Sequence, residues 1–201
     1  MTTMDMAMAA PSPPPHPVTF NVEYPERLSR LLIFVKWLLA IPHVIVLYFL
    51  GLVFSVTTLL AFFAILFTRK YPEGLFKFGL GYERWAMNVN AYLWLLRDEY
   101  PPFALDSAGY PASFDVRYDA EMNRWLPLLK WLLALPHYIV LAFLGIAAWL
   151  MALVGWFAIL FTGRMPRTIF DFIVGVLRYN QRVTAYVYLM TDSYPPFSLE
   201  A

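Results

Sequence analysis

Two segments of the chain are too long and too apolar for the surface helices of a soluble protein. Residues 42–67 and 136–161 each run for 26 positions without an Asp, Glu, Lys or Arg. As α-helices they would each extend about 39 Å, which exceeds the hydrocarbon core of a bilayer at about 30 Å. The composition agrees, since 60% of the residues are hydrophobic and 14% are charged. We therefore expect an all-α integral membrane protein.

The charge balance and the missing residue types exclude several functional classes. The chain carries 15 basic and 14 acidic side chains, so no basic footprint for nucleic acid is expected. It contains no cysteine, which excludes disulfides, thiolate catalysis and thiolate metal sites. Its sequence has no Gly-rich phosphate loop, zinc-protease helix or nucleophile elbow. We therefore expect a non-enzymatic protein without a cofactor.

The chain contains a tandem duplication. Adding 94 to any position from Phe20 to Leu105 gives its counterpart in the second half, and 40 of these 86 pairs are identical. Because the first residues are rich in proline and small side chains, they cannot bury enough surface to fold and are expected to be disordered. The predicted domains are a Pro-rich tail at 1–17, a first membrane repeat at 18–105 and a second membrane repeat at 106–201.

Each repeat divides into four predicted elements. In the first repeat these are a short extramembrane strand at 20–24, an interfacial amphipathic helix at 26–41, the long apolar helix, and a second amphipathic helix at 73–98. In the second repeat the strand is expected at 114–118. Pro127 stands where the first repeat has Ile33, so the second interfacial helix is expected to kink or to start later.

The number of membrane crossings depends on the second amphipathic helix. If this helix spans, the repeats are parallel and cross four times in total; if it lies flat, the repeats are inverted and cross twice. A re-entrant hairpin turning near Gly51 and Gly145 is the rival to a straight long helix, which we favour because the neighbouring residues offer no polar group to an exposed turn. Basic residues flank both ends of the long helices, so the positive-inside rule does not decide. Their matching positions favour parallel repeats and four crossings.

Eight ionisable side chains recur at matching positions and are the candidate functional residues: His43, His137, Arg84, Arg178, Lys36, Lys130, Asp98 and Asp192. The histidines open the long helices and are expected to be structural, with metal ligation or proton transfer as the alternative. The arginines lie in mid-helix and need a carboxylate from another segment or a polar pathway. The lysines are expected to snorkel from the interfacial helices.

Several motifs resemble a known family. They are Ala40-Ile41-Pro42-His43, Tyr71-Pro72-Glu73-Gly74 and Asp98-Glu99-Tyr100-Pro101-Pro102-Phe103, with Ala134-Leu135-Pro136-His137 and Asp192-Ser193-Tyr194-Pro195-Pro196-Phe197. Together they resemble two tandem copies of the bacterial membrane-protein family known as domain of unknown function 4389. The resemblance implies a bacterial inner-membrane protein and brings no activity or catalytic residues. Met165-Pro166-Arg167-Thr168 departs from the pattern.

The sequence supports two functional hypotheses. The first is a multi-pass scaffold or accessory subunit of the cytoplasmic membrane, in contact with the bilayer, anionic lipids, and a membrane-protein partner or a second copy. Its motivation is the absence of a catalytic constellation beside many interfacial aromatic residues. The second is a small transporter or channel whose polar pathway between the repeats uses the arginines and histidines.

Overall fold

Over residues 16–106 and 109–200, which the computed structural model describes, the chain folds into six helices and one two-stranded sheet. The first repeat contributes β1 (Val18–Val22), α1 (Leu32–Leu39), α2 (Ile41–Thr68) and α3 (Glu73–Leu93). The second contributes β2 (Ala112–Val116), α4 (Leu126–Leu133), α5 (Leu135–Thr162) and α6 (Arg167–Val187). The predicted disordered tail, apart from His16 and Pro17, lies outside the described residues.

The helices α1 and α2 form one nearly continuous apolar rod, and α4 and α5 form a second. Only Ala40 and Ala134 separate the helices, and both keep right-handed helical backbone angles. Each rod covers 37 residues and is long and apolar enough to cross a membrane. At 1.5 Å per residue, each rod is about 55 Å long.

The rods confirm the straight helix and correct the boundary at Pro127. Both α2 and α5 continue through Gly51 and Gly145 without a turn, so the re-entrant hairpin is wrong. Pro127 lies in the first turn of α4, where its missing N–H group has no helical acceptor. Because α1 and α4 begin at equivalent residues, Leu32 and Leu126, the predicted kink or later start is also wrong.

The two rods run in opposite directions. Leu28, just before the first rod, donates its backbone N–H to the carbonyl of Gly163, just after the second rod, at 2.8 Å. Met122 makes the equivalent bond to Arg69, also at 2.8 Å. The start of each rod therefore meets the end of the other. The expectation of parallel repeats is wrong, and the four-crossing topology that required them is excluded.

The strands pair across the repeats around a pseudo-two-fold axis. Phe20 lies opposite Phe114, its equivalent residue, and Val18 lies opposite Val116. Because equivalent residues meet at the centre of this antiparallel ribbon, the axis passes between them. The predicted alternation is confirmed, with one face of each strand buried, although both strands begin two residues earlier than expected.

The helices α3 and α6 form a middle layer between the rods and the ribbon. Tyr82 of α3 faces α2, where its side chain lies against Gly51. Arg84, about 200° further around the helix, reaches the other way, and its Nε donates to the carbonyl of Phe114 in β2 at 3.0 Å. Arg178 of α6 makes the equivalent bond to β1 at 2.9 Å. The molecule therefore has three layers, with the core between them.

The two outer layers differ sharply in polarity. Large hydrophobic side chains are exposed along both rods, and the fully buried residues of α2 form one narrow stripe: His43, Phe54, Ala61 and Ile65. The ribbon exposes four polar residues: Thr19, Asn21, Ser113 and Asp115. The side of the molecule formed by the rods is therefore apolar, whereas the side formed by the ribbon is polar.

The pairing of the strands predicts a specific crosslink in this cysteine-free chain. Asn21 and Ser113 are direct cross-strand partners, so the double variant Asn21→Cys/Ser113→Cys should form an intramolecular disulfide on mild oxidation. The control Thr19→Cys/Ser113→Cys places the thiols on a diagonal and should crosslink poorly. Mass spectrometry of the purified protein measures both yields, and equal yields would contradict the register.

Candidate functional site

Lys36 and Lys130 are fully buried at equivalent places in the two repeats. The Nζ atom of Lys36 forms an ion pair with Asp98 at 2.8 Å and donates to the carbonyl of Arg97 at 2.6 Å. Lys130 forms the same ion pair with Asp192 at 2.9 Å. The lysines were expected to snorkel, but they stay inside because the segments after α3 and α6 supply a carboxylate and a backbone carbonyl.

The two carboxylates also fasten the segment that leads into each rod. Asp98 accepts the backbone N–H of Ser29 at 2.5 Å, and Asp192 accepts that of Asn123 at 2.6 Å. Each carboxylate therefore joins the rod, the segment before it and the end of the middle-layer helix. The arrangement is that of a structural polar cluster.

His43 and His137 are completely buried in aromatic cages. The Nε1 of Trp85 donates to Nδ1 of His43 at 3.0 Å, and the ring of Phe103 stacks on the imidazole with centroids 3.8 Å apart. In the second repeat, Nδ1 of His137 lies 2.6 Å from the hydroxyl of Tyr179. Among the described residues no group of three or more His, Asp or Glu could hold a metal ion. This geometry supports a packing role for both histidines.

In each repeat the Tyr-Pro-Pro-Phe segment packs against the first part of that repeat's own rod. The hydroxyl of Tyr100 donates to the carbonyl of Leu39 at 3.1 Å, while Phe103 covers His43. Tyr194 makes the longer equivalent contact, 3.5 Å to the carbonyl of the residue that ends α4. The two prolines fix the backbone between the tyrosine and the phenylalanine.

The two mid-helix arginines have different partners. Arg84 forms an ion pair with Asp115 of β2 at 2.8 Å, which confirms that its carboxylate comes from another segment. Arg178 donates to the carbonyls of Phe20 and Leu199, each at 2.9 Å. Within the described part of the chain, it has no carboxylate within 4.0 Å. The structure shows no hydrogen bond or ring contact between the described arginines and histidines of the predicted set.

Sequence reasoning missed buried polar residues in the middle layer. Glu83 is 5% exposed and accepts a hydrogen bond from Gln181 across the interface between α3 and α6. Burial raises the pKa of Glu83 to about 7. Arg182 is also buried, at 3% exposure. The signal was available in the repeat itself, because the equivalents of Glu83 and Gln181 are Leu177 and Met87.

A family model matches both repeats. The model is that of a domain of unknown function, DUF4389, and it matches residues 30–104 and 124–198. Because these matches cover most of the chain, the protein belongs to this family, in two tandem copies. No curated protein and no solved structure matches the chain.

The buried ion pair predicts strong energetic coupling between Lys36 and Asp98. Lys36→Met should lower the free energy of unfolding by about 3 kcal/mol, because it leaves a largely buried carboxylate without its cation. The double variant Lys36→Met/Asp98→Asn should lose clearly less than the sum of the two single variants. Chemical unfolding in a neutral detergent measures the cycle.

The exposed pair of Lys77 and Glu73, with atoms 3.5 Å apart, serves as the matched control. Its coupling should stay near about 0.5 kcal/mol because solvent screens it. If the Lys36 cycle gave no more coupling than this pair, the structural importance of the buried cluster would be refuted.

Glu83 predicts a pH dependence of stability. Its pKa is about 7 in the folded chain, against 4.5 for an ordinary carboxyl group. Between these values the unfolded chain ionises this group while the folded chain keeps it protonated, so the free energy of unfolding falls as the pH rises through this window. The loss amounts to about 3 kcal/mol.

The variant Glu83→Gln should remove this contribution, so it should gain stability relative to the wild type between pH 4.5 and 7, and the gain should level off outside this window. The variant Leu177→Gln, at the equivalent position of the second repeat, should keep the pH dependence of the wild type. Unfolding curves at a series of pH values test both, and identical profiles for Glu83→Gln and wild type would contradict the assignment.

Proposed function

We propose that this protein is a non-enzymatic membrane scaffold or accessory subunit, with its rods embedded in one leaflet of the cytoplasmic membrane and its ribbon in water. The observation that carries the proposal is the contrast between the outer layers. Half-exposed side chains such as Ile45, Leu52 and Leu59 lie along the uncovered face of the first rod, and the ribbon opposite is polar. A contiguous apolar surface of this extent marks a membrane or protein interface.

The position of the ribbon favours rods that lie in the membrane plane over rods that cross it. The rods are antiparallel, so crossing rods would put the pseudo-two-fold axis, and the ribbon with it, near the bilayer midplane. Asp115 on the ribbon is 62% exposed, and an ionised side chain at that depth costs several kcal/mol. The ribbon edges would also leave backbone groups without water. Rods about 10 Å wide fit within the about 15 Å of one leaflet.

Arginines cluster where the start of the first rod meets the end of the second. Arg27, Arg30 and Arg164 surround a shallow cavity beside Gly163, and within the described residues none of the three forms an ion pair. At the opposite junction, Arg69 has Glu121 at 4.0 Å. We propose that these junctions contact anionic headgroups at the edge of the embedded layer.

The contacts of the polar residues do not favour the transporter hypothesis. The histidines are enclosed by rings on the rod side of the middle layer, while the arginines bind the ribbon. Their separate packing supports a scaffold, in which the second copy or partner protein binds beside the rods or on the polar layer.

Labelling the two ends of the first rod tests the orientation. Arg30→Cys and Lys70→Cys replace exposed residues just before and just after this rod in a chain without cysteine. An impermeant maleimide should label both from the same side of the membrane, in intact cells or in inverted vesicles. The control Ser113→Cys in the ribbon should be labelled from that same side. Labelling of the two ends from opposite sides would establish a crossing rod and overturn the in-plane arrangement.

Spin labels at Ile45, Leu52 and Leu59 give an independent measurement. These exposed positions are spaced by seven residues and lie on one face of α2. An in-plane rod places all three at one depth, whereas a crossing rod changes the depth by about 10 Å at each step. Labels that show water-like accessibility in vesicles would overturn embedding itself and favour a protein partner on the apolar face.

A further inference from the structure

The two repeats differ in charge at one pair of equivalent places beside the ribbon. Beside α3, Arg84 forms an ion pair with Asp115 of β2, and Asn88 lies one turn further along the helix. Beside α6, Asn21 of β1 stands at the position equivalent to Asp115, and Arg182 stands at the position equivalent to Asn88. One carboxylate has been replaced and one guanidinium added, so Arg84 has an ion-pair partner on the ribbon, whereas Arg178 and Arg182 have none among the described residues.

The two arginines of the second repeat line a cavity of about 290 Å³ between β1 and α6. His16, Asn21 and Ser113 supply further polar groups to its wall. This volume exceeds that of a phosphate ion and suits a small phosphorylated molecule. The cavity lies on the ribbon side of the molecule, away from the rods.

The arginines have hydrogen-bonding capacity and charge that the protein does not use. Arg182 is 3% exposed and donates to the carbonyls of Ser198 and Glu200, at 3.3 and 2.8 Å, but its buried Nε has no partner among the described residues. Arg178 also donates only to carbonyls. Burial and the neighbouring Arg178 lower the pKa of Arg182. The described chain therefore supplies dipoles to both guanidinium groups but no ion pair, and the charge of Asp171 acts on Arg178 from a greater distance.

His16 adds a donor to the same cavity. Its Nδ1 accepts the backbone N–H of Val18 at 3.2 Å, so the proton of the neutral imidazole lies on Nε2. That Nε2 is buried and has no partner among the described residues. Burial and the charge of Arg182 lower the pKa of His16, which keeps the ring neutral near pH 7.

We propose that this cavity is a binding site for a phosphate group carried by a small soluble molecule, held by Arg178 and Arg182. Guanidinium groups bind phosphate oxygens through charge-assisted, directional hydrogen bonds, and the side chains of His16 and Asn21 add uncharged donors. The oxyanion supplies the negative charge that Asp115 supplies to Arg84. The site depends on neither the membrane orientation nor the scaffold role, because its geometry involves only the ribbon and α6.

Phosphate titration of the purified full-length protein in an uncharged detergent tests the site, with calorimetry and thermal unfolding as readouts. Inorganic phosphate should bind the wild type with a stoichiometry of one and raise the unfolding temperature more than chloride at equal ionic strength. Asn21→Asp places beside Arg178 the carboxylate that Asp115 provides to Arg84, at an exposed position, and should weaken binding at least tenfold. Arg182→Asn, which restores the other residue of the first repeat, should do the same.

Two further variants distinguish specific binding in the cavity from a general attraction of phosphate to positive charge. Lys77→Ala removes one positive charge from an exposed position outside the cavity and should leave the affinity unchanged. The triple variant Asn88→Arg/Tyr110→His/Asp115→Asn copies the residues of this site to the equivalent positions beside α3 and should raise the stoichiometry from one to two. If Arg182→Asn fails to fold, the conservative surface variant Asn21→Asp still decides the question.

Three results would overturn the proposal. The first is a response of the wild type to phosphate no larger than its response to chloride. The second is equal phosphate affinity in wild type and Asn21→Asp. The third is binding confined to a short-chain phosphatidate, with none to inorganic phosphate or to glycerol phosphate, which would assign the cavity to a lipid headgroup.

Discussion

The exchange of strands between the repeats is the constraint on which the other features depend. Each repeat places its N-terminal strand against the middle-layer helix of the other, where Arg84 and Arg178 bind strand carbonyls. The backbone bonds from Leu28 to Gly163 and from Met122 to Arg69 then join the ends of the rods. This exchange makes the rods antiparallel and leaves the ribbon on one side of the middle layer and the rods on the other. Neither repeat can complete this packing alone.

Within this symmetric frame the two copies have diverged in their polar groups. The buried ion pairs of Lys36 and Lys130 and the caged histidines are the same in both, because they hold each rod to its own middle-layer helix. Some differences lie at the ends of the rods, as at Arg27 and Glu121, and others lie near the ribbon and the axis, at Glu83, Arg182 and their equivalents. A difference at such a place changes charge without disturbing the shared packing. The divergent positions are therefore where we locate a function beyond structure.

Sequence patterns predicted the elements of each repeat better than their relationships. The charge-free segments and the alternation around Phe20 and Phe114 were sufficient for the rods and the strands, because these are local consequences of helical and strand periodicity. The burial of Lys36 could not be predicted, because its partner Asp98 lies 62 positions away. Only the packing of the segment after α3 against the first rod brings the two side chains together. The partner of Arg84 was expected from another segment, but only the ribbon identifies it as Asp115.

The sequence by itself determined the duplication, the helical class, the two apolar rods and the eight recurring ionisable residues, since each is a property of spacing and composition along the chain. The tertiary structure decided the direction of one rod relative to the other, the exclusion of parallel repeats, and the contrast between an apolar and a polar side. It also separated Arg84, which has an ion-pair partner on the ribbon, from Arg178 and Arg182, which have none among the described residues. The physical reason is that these properties arise from contacts between the two repeats. Equivalent residues, 94 positions apart in the chain, meet across the two-fold axis, and no local sequence pattern encodes such contacts.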